Sequence, residues 1–251
     1  MLMVANWKMY KTVYQSRAFV RELIRRREGA PLVSTKEVLC PTIPALFEVS
    51  KLCGGTLIEV GAQTLDLGDE GANTGAVSGY LLHEAGAAYV IVGHSERRRL
   101  YGEDDQLVRE KTAQALASHL IPIICVGETQ REREAGQTDS IIVGQVQAAL
   151  AELSHPSPVI FAYEPLWAIG SGLVPEPREA NRISELIRDA VISLGSFESS
   201  HLSVLYGGSV SRKNIREFAQ APLLDGALVG GAALDVEHWL DLTRWWEEVR
   251  A

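Results

Sequence analysis

Side chains able to move protons recur in one kind of place along this chain, directly after a short apolar run. Glu164 closes the run Val-Ile-Phe-Ala-Tyr and precedes Pro165. His94 follows Tyr-Val-Ile-Val-Gly and is itself followed by Ser95 and Glu96, while Asn6 and Lys8 follow Leu-Met-Val-Ala. A carboxylate at an apolar edge can abstract a proton if burial raises its pKa toward neutrality. A histidine against a helix start feels partial positive charge, which favours the neutral imidazole, a donor to an oxygen that gains negative charge. Ser95 is expected to cap that helix. A lysine at position 8 could hold a phosphate or a developing oxyanion, with Asn6 orienting it. Cys125 and Glu128 close another apolar run. Two glycine turns, Tyr206-Gly-Gly-Ser-Val210 and Leu228-Val-Gly-Gly-Ala232, let backbone N–H groups approach phosphate oxygens. Taken singly, each has an ordinary reading as a surface carboxylate, a capping histidine, a solvated lysine or a plain turn. Their common position is what argues for a site.

The elements that must position these groups are legible from the apolar runs. Strands are predicted at Leu2–Ala5, Glu37–Cys40, Leu57–Ala62, Tyr89–Val92, Ile121–Val126, Val159–Tyr163, Leu202–Tyr206 and Ala227–Val229. Most are continuously apolar, as parallel strands covered on both faces are. Helical segments lie between them, at Gln15–Arg27, Gln106–His119, Asp139–Leu153, Glu179–Ser193 and Val236–Arg250. In Gln106–His119 the residues Leu107, Val108, Ala115 and Leu116 form the apolar face, and Arg109, Glu110 and Lys111 are expected on the other. With 251 residues, eight units average about 31, the length of one βαβ repeat. Right-handed connection of eight such units closes a (β/α)8 barrel of the α/β class, one domain over residues 1–251. An open doubly wound sheet is the alternative, but the first turn, Ala5–Asn6–Trp7–Lys8, has no glycine fingerprint. In the barrel, every group named above falls on one rim.

Composition sets the outer bounds. Lys and Arg number 24 against 32 Asp and Glu, a net charge of −8, which argues against a nucleic-acid partner. No apolar run reaches the roughly 20 residues of a membrane span, and the start MLMVANWKMYK does not read as a signal peptide. Three scattered cysteines, Cys40, Cys53 and Cys125, suit a reducing cytoplasm. His83, His94, His119, His155, His201 and His238 lack metal-ligand spacing, so no metal is expected. The segment Pro165, Leu166, Trp167, Ala168, Ile169, Gly170, Ser171, Gly172 is apolar with a small tip, and reads as a lid that excludes water.

Six motifs in order, ANWKM (5–9), YVIVGHSERR (89–98), CVGE (125–128), YEPLWAIGSG (163–172), LYGGSV (205–210) and LVGGA (228–232), resemble the triosephosphate isomerase family over essentially the whole chain. The resemblance implies a (β/α)8 barrel that interconverts dihydroxyacetone phosphate and D-glyceraldehyde 3-phosphate in glycolysis and gluconeogenesis, without cofactor or metal. It implies Glu164 as the base, His94 as the neutral electrophile, Lys8 as the substrate-site cation and Asn6 as its companion. Glu96 and Cys125 are implied in support, and Gly170, Ser171, Ser209, Gly230 and Gly231 as the phosphate grip. The long connection Thr64–Gly79 is implied as the arm of a homodimer, with Thr74 and Gly75 at its inserted tip. Thr64, Asn73, Ala76, Leu173 and Pro175 differ from residues common in the family at those places. A related isomerase of a four-carbon ketose phosphate would use the same base and electrophile with a different pocket depth. A catalytically silent barrel would be expected to lack Glu164 or His94.

Overall fold

The computed structural model describes residues 1–153, 158–169, 173–195 and 202–251. Eight strands, β1 (Leu2–Asn6), β2 (Lys36–Cys40), β3 (Ile58–Ala62), β4 (Tyr89–Val92), β5 (Ile121–Val126), β6 (Val159–Tyr163), β7 (Leu202–Tyr206) and β8 (Gly226–Val229), form a closed parallel barrel in sequence order. Each begins and ends within one residue of the apolar run that predicts it. Pairing of β1 with β8, Leu2 opposite Gly226 and Ala5 opposite Val229, closes the sheet and excludes the open alternative.

The helices on the outside are α1 (Val13–Gly29), α2 (Ile43–Cys53), α3 (Gly79–Glu84), α4 (Ser95–Tyr101), α5 (Asp105–Ala117), α6 (Gln130–Glu134), α7 (Thr138–Leu150), α8 (Pro177–Ser193), α9 (Ile215–Ala219) and α10 (Val236–Arg250). Their starts are chemically marked. Thr12 and Gln15 cap α1 reciprocally, Thr129 and Glu132 do the same for α6, and Asp104 and Asp235 accept from backbone N–H groups at the starts of α5 and α10. No helix among the described residues is long and apolar enough to cross a membrane.

Alternation along the strands makes two cores and aims the site. Leu2, Val4, Val38, Cys40, Tyr89, Ile91, Ile123, Cys125, Ile160, Ala162, Leu205 and Leu228 fill the barrel interior. Their neighbours Met3, Ala5, Leu39, Val90, Ile124 and Phe161 pack outward under the helices. Continuing the inward series by two residues reaches Asn6 after Val4, Glu164 after Ala162, Gly207 after Leu205 and Gly230 after Leu228. The same parity that fills the core therefore delivers these residues to the barrel mouth.

One expectation fails in α5. Lys111 is buried, 3% exposed, where the polar face was predicted. It lies three residues beyond Val108 and four before Ala115, so helical phase places it on their inward face. Its charge is met by Glu103, also 3% exposed, whose Oε1 accepts from Lys111 Nζ at 2.6 Å and from Arg97 Nε at 2.5 Å. Burial pushes the Glu103 carboxyl upward, and its bonds to Lys111 and Arg97 more than offset this, leaving its pKa below the ordinary value. A depressed carboxylate stabilises the fold above its unfolded pKa, and that stabilisation is lost as pH falls through the folded value. Glu103→Gln should therefore cost about 3–5 kcal/mol at pH 7, the penalty of orphaning a buried charge. The gap between wild-type and variant melting temperatures should narrow as pH drops below the ordinary carboxyl range. Thermal melts between pH 7 and 3 check this, and a gap that stays constant would remove the linkage.

Candidate active site

Five strand ends converge on a cleft of about 250 Å³, lined by Asn6, Lys8, His94, Glu164, Ile169, Gly207, Gly208, Ser209, Val210, Leu228, Gly230, Gly231 and Ala232. Glu164 is 2% exposed and His94 7%, so the cleft meets the edges of two nearly dry ionisable side chains. The closest contact between them is 3.1 Å, from His94 Nε2 to Glu164 Oε1. Ser95 donates from its backbone N–H to Glu164 Oε2 at 2.8 Å and from its hydroxyl to Oε1 at 3.4 Å.

The expected cap at Ser95 is corrected by the structure. His94 is the N-cap of α4, its Nδ1 accepting from the Glu96 backbone N–H at 3.2 Å, and Ser95 is the first helical residue. The reason is the turn at Gly93, whose φ of +66° ends the strand alternation one residue early. The cap bond also assigns the imidazole tautomer. A nitrogen that accepts from N–H carries no proton, so the proton sits on Nε2, which donates toward Glu164. An imidazole that accepts at one nitrogen and donates from the other carries a single proton. The nearby Glu96 carboxylate, 3.7 Å from Nδ1, is then no ion-pair partner of His94.

Glu96 pairs instead with Lys8, Oε1 to Nζ at 2.8 Å. Burial raises the Glu96 carboxyl, and the Lys8 hydrogen bond and charge outweigh it, leaving the group below its ordinary value. Lys8 has a φ of +50°, and its backbone N–H donates to Asn6 Oδ1 at 3.0 Å. Its aliphatic stem runs past Gly230, where an added Cβ would stand 3.2 Å from Lys8 Cε. Cys125 lies under the site in the barrel interior, and burial, followed by the Glu164 charge, pushes its thiol well up. It is a buried thiol in no disulfide, like Cys40 and Cys53, and it hydrogen-bonds the Glu164 side chain.

Two glycines make room for the backbone and side-chain stem of Glu164. A Cβ at Gly127 would fall 1.8 Å from the Glu164 carbonyl oxygen, and one at Gly207 would fall 2.9 Å from Glu164 Cγ. The described half of the segment after Glu164 is anchored at its root. Trp167 Nε1 donates to Glu128 Oε1 at 2.9 Å, the Tyr163 hydroxyl to the same oxygen at 3.2 Å, and Arg133 stacks 4.3 Å over the Trp167 ring. Ile169 reaches the cleft. Gly170, Ser171 and Gly172, named for the phosphate grip and lid tip, lie outside the described residues. Thr74 and Gly75 stand at the exposed end of a loop whose base is tied by Asp66, paired through backbone and carboxylate with Val77. Neither is among the residues that line this chain's own cleft.

The structure thus brings Asn6, Lys8, His94, Glu96, Cys125, Glu164, Ser209, Gly230 and Gly231 to one end of the barrel. The reading from sequence missed the backbone N–H of Ser95, which leaves no side-chain signature. It also missed Gln63, whose one available signal was its position directly after β3.

These features define a (β/α)8-barrel enzyme with a buried carboxylate–imidazole pair at the carboxyl-terminal rim. Comparison with known proteins narrows the class. The family model described as triosephosphate isomerase matches residues 1–245. The chain is 44% identical over 243 residues to the triosephosphate isomerase of Roseiflexus sp. (strain RS-1), covering 95% of this chain and 94% of that protein. It is 46% identical over 241 residues to that of Synechococcus sp. (strain JA-2-3B'a(2-13)), with 95% and 94% covered. The crystal structure of triosephosphate isomerase from Bartonella henselae superimposes with a TM-score of 0.88 at 31% identity, covering 98% of both chains. The chain belongs to the triosephosphate isomerase family.

Proposed function

We propose that this chain interconverts dihydroxyacetone phosphate and D-glyceraldehyde 3-phosphate through an enediolate, as a cytoplasmic homodimer serving glycolysis and gluconeogenesis. The observation that carries the reading is the Glu164–His94 contact of 3.1 Å at the wall of a cleft that also holds Lys8. Isomerisation needs a base for a carbon acid and donors for two oxygens, and these groups are of the required kinds.

Glu164 takes the proton from the carbon beside the carbonyl. Both of its oxygens are engaged by Ser95, and Oε1 also by His94, so substrate must displace part of this clamp to reach it. The base is held close to its task and loses little freedom on engagement. His94 Nε2–H then donates to the oxygen that gains charge. A neutral donor is suited to this because it binds the enediolate without surrendering its proton. Lys8 supplies positive charge to the developing oxyanion and to the phosphate. Glu164 delivers a proton to the adjacent carbon and carries the hydroxyl proton from the first oxygen to the second, so the sum is one hydrogen moved between neighbouring carbons and one between their oxygens, with no net redox change. The phosphate is received by N–H groups at Ser209, Gly230 and Gly231; the family resemblance adds Gly170 and Ser171, outside the described residues, to this grip. A closed lid matters because a solvated enediolate can expel its phosphate. The test is conversion of glyceraldehyde 3-phosphate by the purified chain with a chelator present. A four-carbon ketose phosphate turned over in preference would redirect the substrate assignment.

Dimerisation is supported by the exposed apolar side chains of Met9, Tyr10, Phe47 and Tyr101, together with the projecting arm from Thr64 to Gly79. We expect sedimentation at twice the 27.4 kDa chain mass, and a shift toward monomer in Thr74→Arg, which places a charge at the arm's tip. A wild-type mass of one chain at micromolar concentration would contradict the arm's role.

A further inference from the structure

Lys8 is one of four described non-glycine residues with positive φ, a conformation that side chains with a Cβ adopt reluctantly and keep only when surroundings hold it. Its amide N–H is held by Asn6 Oδ1 at 3.0 Å. Its carbonyl is held by a residue from a different strand end, Gln63, whose Nε2 donates to Lys8 O at 2.8 Å. The same nitrogen donates to Cys40 O at 3.0 Å, and Cys40 O also accepts from the Trp7 N–H at 3.1 Å. One amide nitrogen thus ties the turn after β1 to the end of β2 from a position directly after β3.

The chemistry of the contact is selective. Both partners are carbonyl oxygens and need donors, and an amide NH2 offers two hydrogens from one atom. A carboxylate there would face two acceptors, and an apolar side chain would leave both oxygens short of a partner. Trp7 is fully buried and Asn6 is 5% exposed, so the strand side of this turn has little room to shift. The conformation of Lys8 is therefore decided at its own two peptide groups, one clamped by Asn6 and the other by Gln63.

We infer that Gln63 is a positioning residue for Lys8, fixing the left-handed backbone that carries the ammonium to Glu96 and the cleft. The inference rests on the reading of Lys8 as the substrate-phosphate cation. It requires no direct contact between Gln63 and substrate, and Gln63 is absent from the cleft lining.

Gln63→Leu keeps the bulk and removes both donors, and Gln63→Asn keeps the amide one methylene short. Inorganic phosphate titrated into the wild type and each variant by calorimetry gives a binding constant independent of turnover, and steady-state kinetics gives KM and kcat. In Gln63→Leu the phosphate dissociation constant and KM should rise together by tenfold or more, with part of the loss recovered in Gln63→Asn. Leu23→Ala, a cavity in the core under α1, should lower the melting temperature and leave both constants unchanged. A Gln63→Leu protein that melts lower yet keeps wild-type phosphate affinity and KM overturns the inference, since a purely structural bond would behave that way. If Gln63→Leu does not fold, Gln63→Asn with wild-type constants overturns it equally. A wild type that binds phosphate but does not isomerise triose phosphate defeats the proposed activity instead, and the phosphate comparison still decides the role of Gln63.

Discussion

Glu164→Gln is expected to lower kcat by about 10³–10⁴-fold, the upper part of what a positioned general base contributes. The amide is nearly isosteric and can still accept from the Ser95 N–H, so the cleft and the start of α4 should survive. What disappears is the carboxylate proposed to remove the carbon-bound proton. Gly127 and Gly207 press close behind the residue, at the carbonyl and at Cγ, so nothing bulkier than the native shape has space there. A coupled assay with circular dichroism as the folding control reads the effect. A folded variant with kcat within tenfold of wild type would remove Glu164 from the reaction.

His94→Gln should cost about 10²–10³ in kcat, roughly 3–4 kcal/mol, as loss of one preorganised donor aimed at a developing oxyanion does. Glutamine can donate, but its flexible amide lacks the fixed ring direction that the Nδ1 cap bond to Glu96 imposes on Nε2–H. The fold should tolerate the change at the cost of one helix cap, about 1 kcal/mol. KM should move little beside kcat if the donor acts chiefly in the transition state. A kcat near the wild-type value would show that another group stabilises the intermediate.

The barrel was legible because buried parallel strands are nearly unbroken apolar runs, and because Gly93, Pro165 and the paired glycines at 207–208 and 230–231 mark where the runs stop. The inward positions of Asn6, Glu164, Gly207 and Gly230 follow from counting by twos along those strands. Helix ends were less legible, since α1 runs two residues further at each side than its apolar stripe requires. Lys111 shows the limit of residue type as a guide: its phase in α5 was inward, but a lysine reads as surface until the buried Glu103 is known. Ser95 and Gln63 were hidden for another reason. One acts mainly through a backbone N–H and the other through two carbonyls on different strand ends, and such contacts exist only after the barrel closes. The family resemblance supplied roles for Lys8, Glu96 and Cys125 that spacing alone left open, and the structure pairs Lys8 with Glu96 at 2.8 Å.

The central claim is proton transfer by Glu164 between two neighbouring carbons of a triose phosphate. It is met most directly by letting the wild-type chain convert dihydroxyacetone phosphate in deuterium oxide with a chelator present, and reading the product by proton NMR. A base that exchanges its proton with solvent while holding the intermediate must leave deuterium on carbon 2 of glyceraldehyde 3-phosphate, and Glu164→Gln must lose that incorporation. Conversion or labelling that persists undiminished in Glu164→Gln would contradict the account.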